Sequence, residues 1–388
     1  MRGAVLLAFF LNWVFASAEL PSHKDVDIVS TDGTKLRATF YPSQRTGPAV
    51  LLLHMCNTTR KSWDPLAALL SSEGINALTI DNRGFGESGG PRYEGASPEA
   101  AAQIEKSWPA DFDAAYQYLS SQPSVDRSRI GIGGGSCGVN NAIGVAERHA
   151  SIKALVLLAG GADLQGLDFL VQHPWIPLFT AAASDDEYVH AAPELMRWFS
   201  EVTENPRNQF VAFKDGRHGT EIFGPHPELE REIVAFFQDN LVKSPVNANA
   251  SFTPRRTQGA EFWKLAAHPG GAKRAEQMFE DVRKRDPHAV LFPEYVMNLL
   301  GYDRLQRGDP TEGLTLLKLN RDAYPESANT WDSLSDAYIA NNKTDLALAA
   351  EGKCLQVLAT DPAPNAEFKA ALRKHAEEKI ARLKAEKR

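Results

Sequence analysis

Arg129 to Asn141 reads RIGIGGGSCGVNN, a strand-like run that enters a glycine-rich turn and leaves as a helix-compatible segment. Gly134, Ser136 and Gly138 fit the nucleophile-elbow pattern G-x-S-x-G. Such a turn is tight and strained, and side chains flanking its tip would meet neighbouring backbone. The tip residue stands clear of the sheet, beside a helix N-terminus that favours negative charge. Two nucleophilic side chains are adjacent. Cys137 at the tip would need glycines at 135 and 139, and position 139 is Val. Ser136 has glycine on both sides and is therefore the candidate nucleophile. Cys137 follows it, at the position whose backbone N–H usually serves as one oxyanion donor.

Outward from the elbow, Asp25 to Leu241 alternates strand-like and helix-like segments. Val26–Ser30 and Leu36–Tyr41 flank Asp32-Gly33, a hairpin signal. Ala49–His54 is a short, wholly apolar run suited to burial on both faces, and Asn76–Asp81, Arg129–Gly133, Ala154–Ala159, Pro177–Ala182 and Gln209–Phe213 are further expected strands. An antiparallel opening followed by repeated strand–helix units predicts a mixed, mostly parallel sheet covered by helices.

The serine needs a base, and His218 lies in DGRHGT, a loop just after the last expected strand. The acid belongs after Pro177–Ala182, where Asp185, Asp186 and Glu187 stand in a row. The chain order Ser, acid, His then holds. Asp186 is favoured by its distance from the strand end, with Asp185 as the alternative; its role is to orient His218 and stabilise the imidazolium. A second oxyanion donor is expected from His54–Arg60, by position the Cys56 N–H, with Met55 as the alternative and His54 packing beneath. Tyr93, Trp108, Phe169, Trp175 and Tyr188 are candidates for pocket lining or for core. Cys56, Cys137 and Cys354 match no disulfide framework. A Cys56–Cys137 bridge is not expected, because it would crowd the nucleophile.

Together these motifs resemble the α/β-hydrolase superfamily, in its dienelactone-hydrolase-like and acyl-esterase-like branch. The resemblance includes Leu53-His54 with Trp63 downstream, the DNRGFGES segment at 81–88 and the approach VDRSRIG at 125–131. It departs from dienelactone hydrolases in having Ser at the elbow tip, Met55 where Gly usually follows His, and Val after Gly138. The resemblance implies an acyl-enzyme cycle on an ester or thioester, with a serine peptidase as one alternative.

The 388 residues divide into an apolar leader at 1–18, a catalytic α/β domain at 24–242, a linker at 243–259 and an all-helical domain at 260–388. Beyond the linker, an offset of 34 residues aligns Leu300-Gly301 with Leu334-Ser335 and Gly313-Leu314 with Ala347-Leu348. Trp331, Leu334, Tyr338 and Ala347 resemble the signature positions of a tetratricopeptide repeat, which implies a protein or peptide partner. A binding module with a scaffold hydrolase domain is therefore the other alternative. Arg2, the apolar run from Ala4 to Phe15 and Ala16-Ser17-Ala18 read as a cleavable signal peptide, so export to periplasm or medium is expected. No later run is long enough to span a bilayer, so no stable membrane insertion is expected after cleavage. A net charge of −7 without a basic stripe argues against a nucleic-acid partner. No Cys/His cluster has zinc spacing; no metal or cofactor is expected.

Overall fold

The computed structural model describes residues 23–189, 191–243, 252–363 and 365–387. The expected signal peptide lies outside these residues, as does the middle of the expected linker.

Eight strands form one sheet: β1 (Lys24–Val29), β2 (Lys35–Tyr41), β3 (Gly47–Leu53), β4 (Asn76–Ile80), β5 (Val125–Gly135), β6 (Ile152–Leu158), β7 (Leu178–Ala183) and β8 (Gln209–Phe213). Their spatial order is β1-β2-β4-β3-β5-β6-β7-β8. The Asp32-Gly33 hairpin joins β1 to β2 antiparallel, β2 meets β4 antiparallel, and β3 through β8 run parallel. This is the mostly parallel α/β-hydrolase arrangement, followed by an all-helical region. Every residue of β3 and β4 is buried, because helices cover both faces and leave no room for alternating polarity.

Helical structure resumes at Gln258–Ala266 and Ala272–Arg285. Two helical pairs follow: Glu294–Gln306 with Pro310–Ala323, and Ala328–Ala340 with Thr344–Val357. Each helix of the second pair begins 34 residues after its counterpart, the offset seen in the sequence. The small residues explain the close pairing: a Cβ on Gly301 would fall 2.5 Å from Leu317, and one on Gly313 2.4 Å from Leu305. Helix Ala366–Glu386 closes the chain.

The two regions share one hydrophobic core. Helix Ala192–Val202 presents Trp198, whose ring packs edge-on to Trp263 at 5.5 Å and whose indole N–H donates to the Leu291 carbonyl at 3.2 Å. Tyr324 Oη donates to Glu194 and to the Phe292 carbonyl.

Candidate active site

Ser136 sits between β5 and the Cys137–Arg148 helix with φ 54° and ψ −123°. A non-glycine side chain is held in that left-handed region only where surroundings over-determine it. The flanking glycines supply the reason. A Cβ on Gly134 would lie 2.0 Å from the Gly138 carbonyl oxygen, and one on Gly138 2.6 Å from that of Leu53. Gly160, after β6, has the same constraint, since a Cβ there would approach the Ser136 carbonyl to 2.2 Å.

The acid and the imidazole meet. His218 Nδ1 lies 2.7 Å from Asp186 Oδ2, and both residues are almost fully buried. The other oxygen of Asp186 accepts the N–H groups of Tyr188 and Val189, each at 2.8 Å. Nδ1–H therefore donates to the carboxylate and Nε2 is left as the acceptor, the tautomer a general base requires. Asp185 is occupied differently: its Oδ1 accepts the Arg217 N–H at 2.8 Å. It holds the backbone just before His218 while Asp186 holds the ring. Among the described residues no hydrogen bond joins Ser136 to His218, a contact often loose until substrate is bound.

Met55 links the two loops. Its side chain is fully buried; a Cβ on Gly219 would fall 2.2 Å from its sulfur and one on Gly135 3.1 Å from its Cγ. The Thr220 N–H points at the same sulfur at 3.4 Å. The methionine thus fills the space between the neighbours of Ser136 and of His218. His54 is structural: Nδ1–H donates to the Met55 carbonyl at 2.6 Å and Nε2 accepts the Asn82 N–H at 2.9 Å. Burial pushes its pKa down to about 4. The 81–88 segment is likewise a brace. Asp81 accepts the Arg60 side chain at 2.5 Å and the Glu87 N–H at 2.9 Å, and Arg83 grips Asp111 at 2.7 Å.

One expectation is corrected. Cys56 and Cys137 form a disulfide, their Cα atoms 5.9 Å apart. It does not crowd the serine: Ser136 still lines a cleft of about 450 Å³ with Trp108, Asn140, Gly161, Val189 and Tyr295. Among the described residues neither the Cys56 nor the Cys137 N–H donates to a protein acceptor, so both backbone donors remain available. Cys354 is free and buried, and burial pushes its thiol up to about 12.

A family model described as the BAAT / acyl-CoA thioester hydrolase C-terminal region matches residues 111–217. That span includes Ser136 and Asp186 and stops one residue before His218. An uncharacterized protein of Mycobacterium tuberculosis is 34% identical over 166 residues, 42% of this chain and 54% of the relative. A thiohydrolase of Aspergillus aculeatus is 34% identical over 139 residues, 36% of this chain and 42% of the relative. The chain thus spans about half the length of the curated relatives it matches. An esterase of Pyrococcus furiosus is similar in structure with 21% identity and a TM-score of 0.46, covering 57% of this chain and 91% of the esterase.

Of the aromatics singled out in the sequence, Trp108 lines the serine cleft and the Tyr188 ring lies 4.8 Å from that of His218. Tyr93 packs on Phe85, while Phe169 stacks on His173, which also meets Trp175. Tyr295 was not legible as a site residue, since it lies 159 positions beyond the serine on a helix of the other region. Among the described residues no group of acidic, His and Cys side chains has metal-binding geometry, and no helix is long and apolar enough to cross a membrane.

Proposed function

We propose that the chain is a serine hydrolase that cleaves carboxylic esters or thioesters through Ser136, His218 and Asp186. The observations that carry this reading are the buried His218–Asp186 pair, tautomer set, and a serine held at a strained elbow. The thioester-hydrolase description of the matching family and the thiohydrolase name of one relative support the bond type.

In this reading Ser136 Oγ attacks the carbonyl carbon while His218 Nε2 takes its proton. The Cys56 and Cys137 N–H groups hold the oxyanion, where preorganised donors contribute most. His218 then protonates the leaving alcohol or thiol, and water resolves the acyl-enzyme with His218 again as base. Esters and thioesters are favoured over amides because their leaving groups depart more readily.

The same proposal extends to location and to the helical region. The Cys56–Cys137 disulfide supports export, since such bonds persist in oxidising compartments. The 34-residue spacing of the two helical pairs supports a tetratricopeptide-like region that binds a peptide or protein.

Fluorophosphonate labelling of the protein, with peptide mass spectrometry and a Ser136→Ala control, tests the core of this reading. Label on the Ser136 peptide, lost in the variant, is expected. Unlabelled but folded protein sinks it.

A further inference from the structure

Tyr295 is the second residue of helix Glu294–Gln306 in the helical region, yet its ring lies against the turn that follows β6. A Cβ on Gly161 would fall 2.9 Å from that ring, so the glycine after Gly160 is what lets a side chain from the second region reach the elbow. The tyrosine hydroxyl donates to the Ala162 carbonyl at 3.5 Å. Its backbone is held as well. Glu294, one residue earlier, accepts the side chains of Ser327 and Asn329 at 3.0 and 2.9 Å, and its carbonyl takes the Asn320 amide at 3.1 Å. The ring is therefore a fixed part of the site, although 45% of the residue is exposed.

Two spaces meet at that ring. The Ser136 cleft of about 450 Å³ and a second cavity of about 540 Å³ between the regions share Gly161, Val189 and Tyr295 as lining. Tyr295 has by far the largest side chain of the three, so its ring forms most of the partition. Small-molecule sites run from about 300 to 1,000 Å³; each space alone is in the lower part of that range, and the two joined would approach its upper end. The acidic groups of the second cavity are largely engaged: Glu187 binds Arg217, Glu194 the Tyr324 hydroxyl and Asp361 the Ala328 N–H. What it offers a ligand is mainly the apolar surface of Tyr188, Val189, Leu195 and Phe368.

Resting on the serine-hydrolase reading, we propose that Tyr295 is a specificity-determining residue: its ring closes one end of the Ser136 cleft and sets how long an alkyl arm the substrate can carry towards the helical region. The limit applies to one arm, acyl or alcohol, because the two leave the scissile carbonyl in different directions and only one of them meets the ring. An enzyme discriminates through contacts made in the transition state, and a methylene that finds no room there loses the burial a pocket would give it. Replacing the ring by a methyl group opens the second cavity to that arm, whose methylenes then leave water against Val189, Leu195 and Phe368. The helical region is thus part of the active site: it contributes the wall and, behind it, an apolar chamber.

The test compares ethyl butyrate, hexyl butyrate and ethyl octanoate. The last two are isomers that lengthen the first equally, one on the alcohol side and one on the acyl side, so their overall hydrophobicity is matched. The wild-type chain, and Tyr295→Phe, which keeps the ring, should hydrolyse one isomer roughly tenfold less well than ethyl butyrate in kcat/KM. In Tyr295→Ala the ratio of that isomer to ethyl butyrate should rise about tenfold, mainly through KM, as its added methylenes become buried, while the ratio for the other isomer stays as it was. A merely structural loss lowers all three rates together and moves neither ratio. Unmoved ratios in Tyr295→Ala overturn the proposal, as does an equal rise for both isomers, which marks a site loosened throughout, or the same rise in Tyr295→Phe. Fluorophosphonate separates the two readings. Label at Ser136 with unmoved ratios sinks the wall alone, whereas no label and no turnover of any ester sinks the hydrolase reading and the wall with it.

Discussion

Cys56, three residues past the end of β3, is bonded to Cys137, the residue after Ser136, across 81 positions of chain. The two residues whose N–H groups are proposed to face the oxyanion are therefore tied to each other covalently. Removing one oxyanion donor costs about 10²–10³ in kcat, and a bond that only fixes the spacing should carry part of that. A dithiol that reduces the bridge, or Cys56→Ser with Cys137→Ser, is expected to lower kcat roughly tenfold with little change in KM. Steady-state kinetics checks it, with reductant having no further effect on the double variant.

Asp185 and Asp186 are adjacent carboxylates with different tasks. Asp186→Asn should reduce kcat by about 10⁴, the cost of losing the tautomer-setting carboxylate in a triad. Asp185→Asn removes an acceptor for the Arg217 N–H and should cost far less. Similar losses from both would place the catalytic acid elsewhere.

His54 gives stability a pH dependence. Its folded pKa is near 4 because burial disfavours the imidazolium, whereas an unfolded histidine titrates near 6.5. Between those values the unfolded chain binds more protons, so stability falls as pH drops from about 6.5 towards 4. Denaturant unfolding at several pH values should show a shallower decline over that window in His54→Gln.

Lys379 is buried among Asp332, Asp336 and Glu351, at 2.8, 2.8 and 2.9 Å. It ties the closing helix Ala366–Glu386 to the second helical pair. Its pKa is raised by the surrounding carboxylates, and that of Glu351 is raised to about 7, chiefly by burial. Lys379→Met leaves those acids without their cation and should destabilise the helical region by about 3–5 kcal/mol. Thermal or chemical unfolding followed by circular dichroism measures it.

Truncation after Leu241 does not isolate what the helical region does. Trp198, Leu195 and Met196 are buried in the shared core, and removing the helices that cover Trp198 exposes an apolar face. The truncated protein should aggregate or melt well below the full chain, as light scattering during a thermal ramp would reveal.

The sheet was legible because its signals are local. Each apolar run of four to eight residues became a strand within a few positions of its expected ends, and the Asp32-Gly33 hairpin formed as read. The 34-residue offset appeared as helix starts because small residues at 301, 313 and 347 permit close packing wherever they recur. The elbow was legible in part for a similar reason: the clash that makes Gly134 necessary is with Gly138, four residues on, whereas Gly138 is required by the Leu53 carbonyl on a neighbouring strand.

The sequence by itself determined the α/β class, the helical region beyond it, and a serine, a row of acids and a histidine in working order. Backbone sterics and hydrophobic periodicity act over a few residues and leave their mark in the order of letters. Only the tertiary structure decided which acid meets His218, that Cys56 and Cys137 join, and that Tyr295 stands at the serine cleft. Those are meetings between segments tens to hundreds of residues apart, set by which strand ends and helix faces the shared core brings together, and no local pattern encodes that distance.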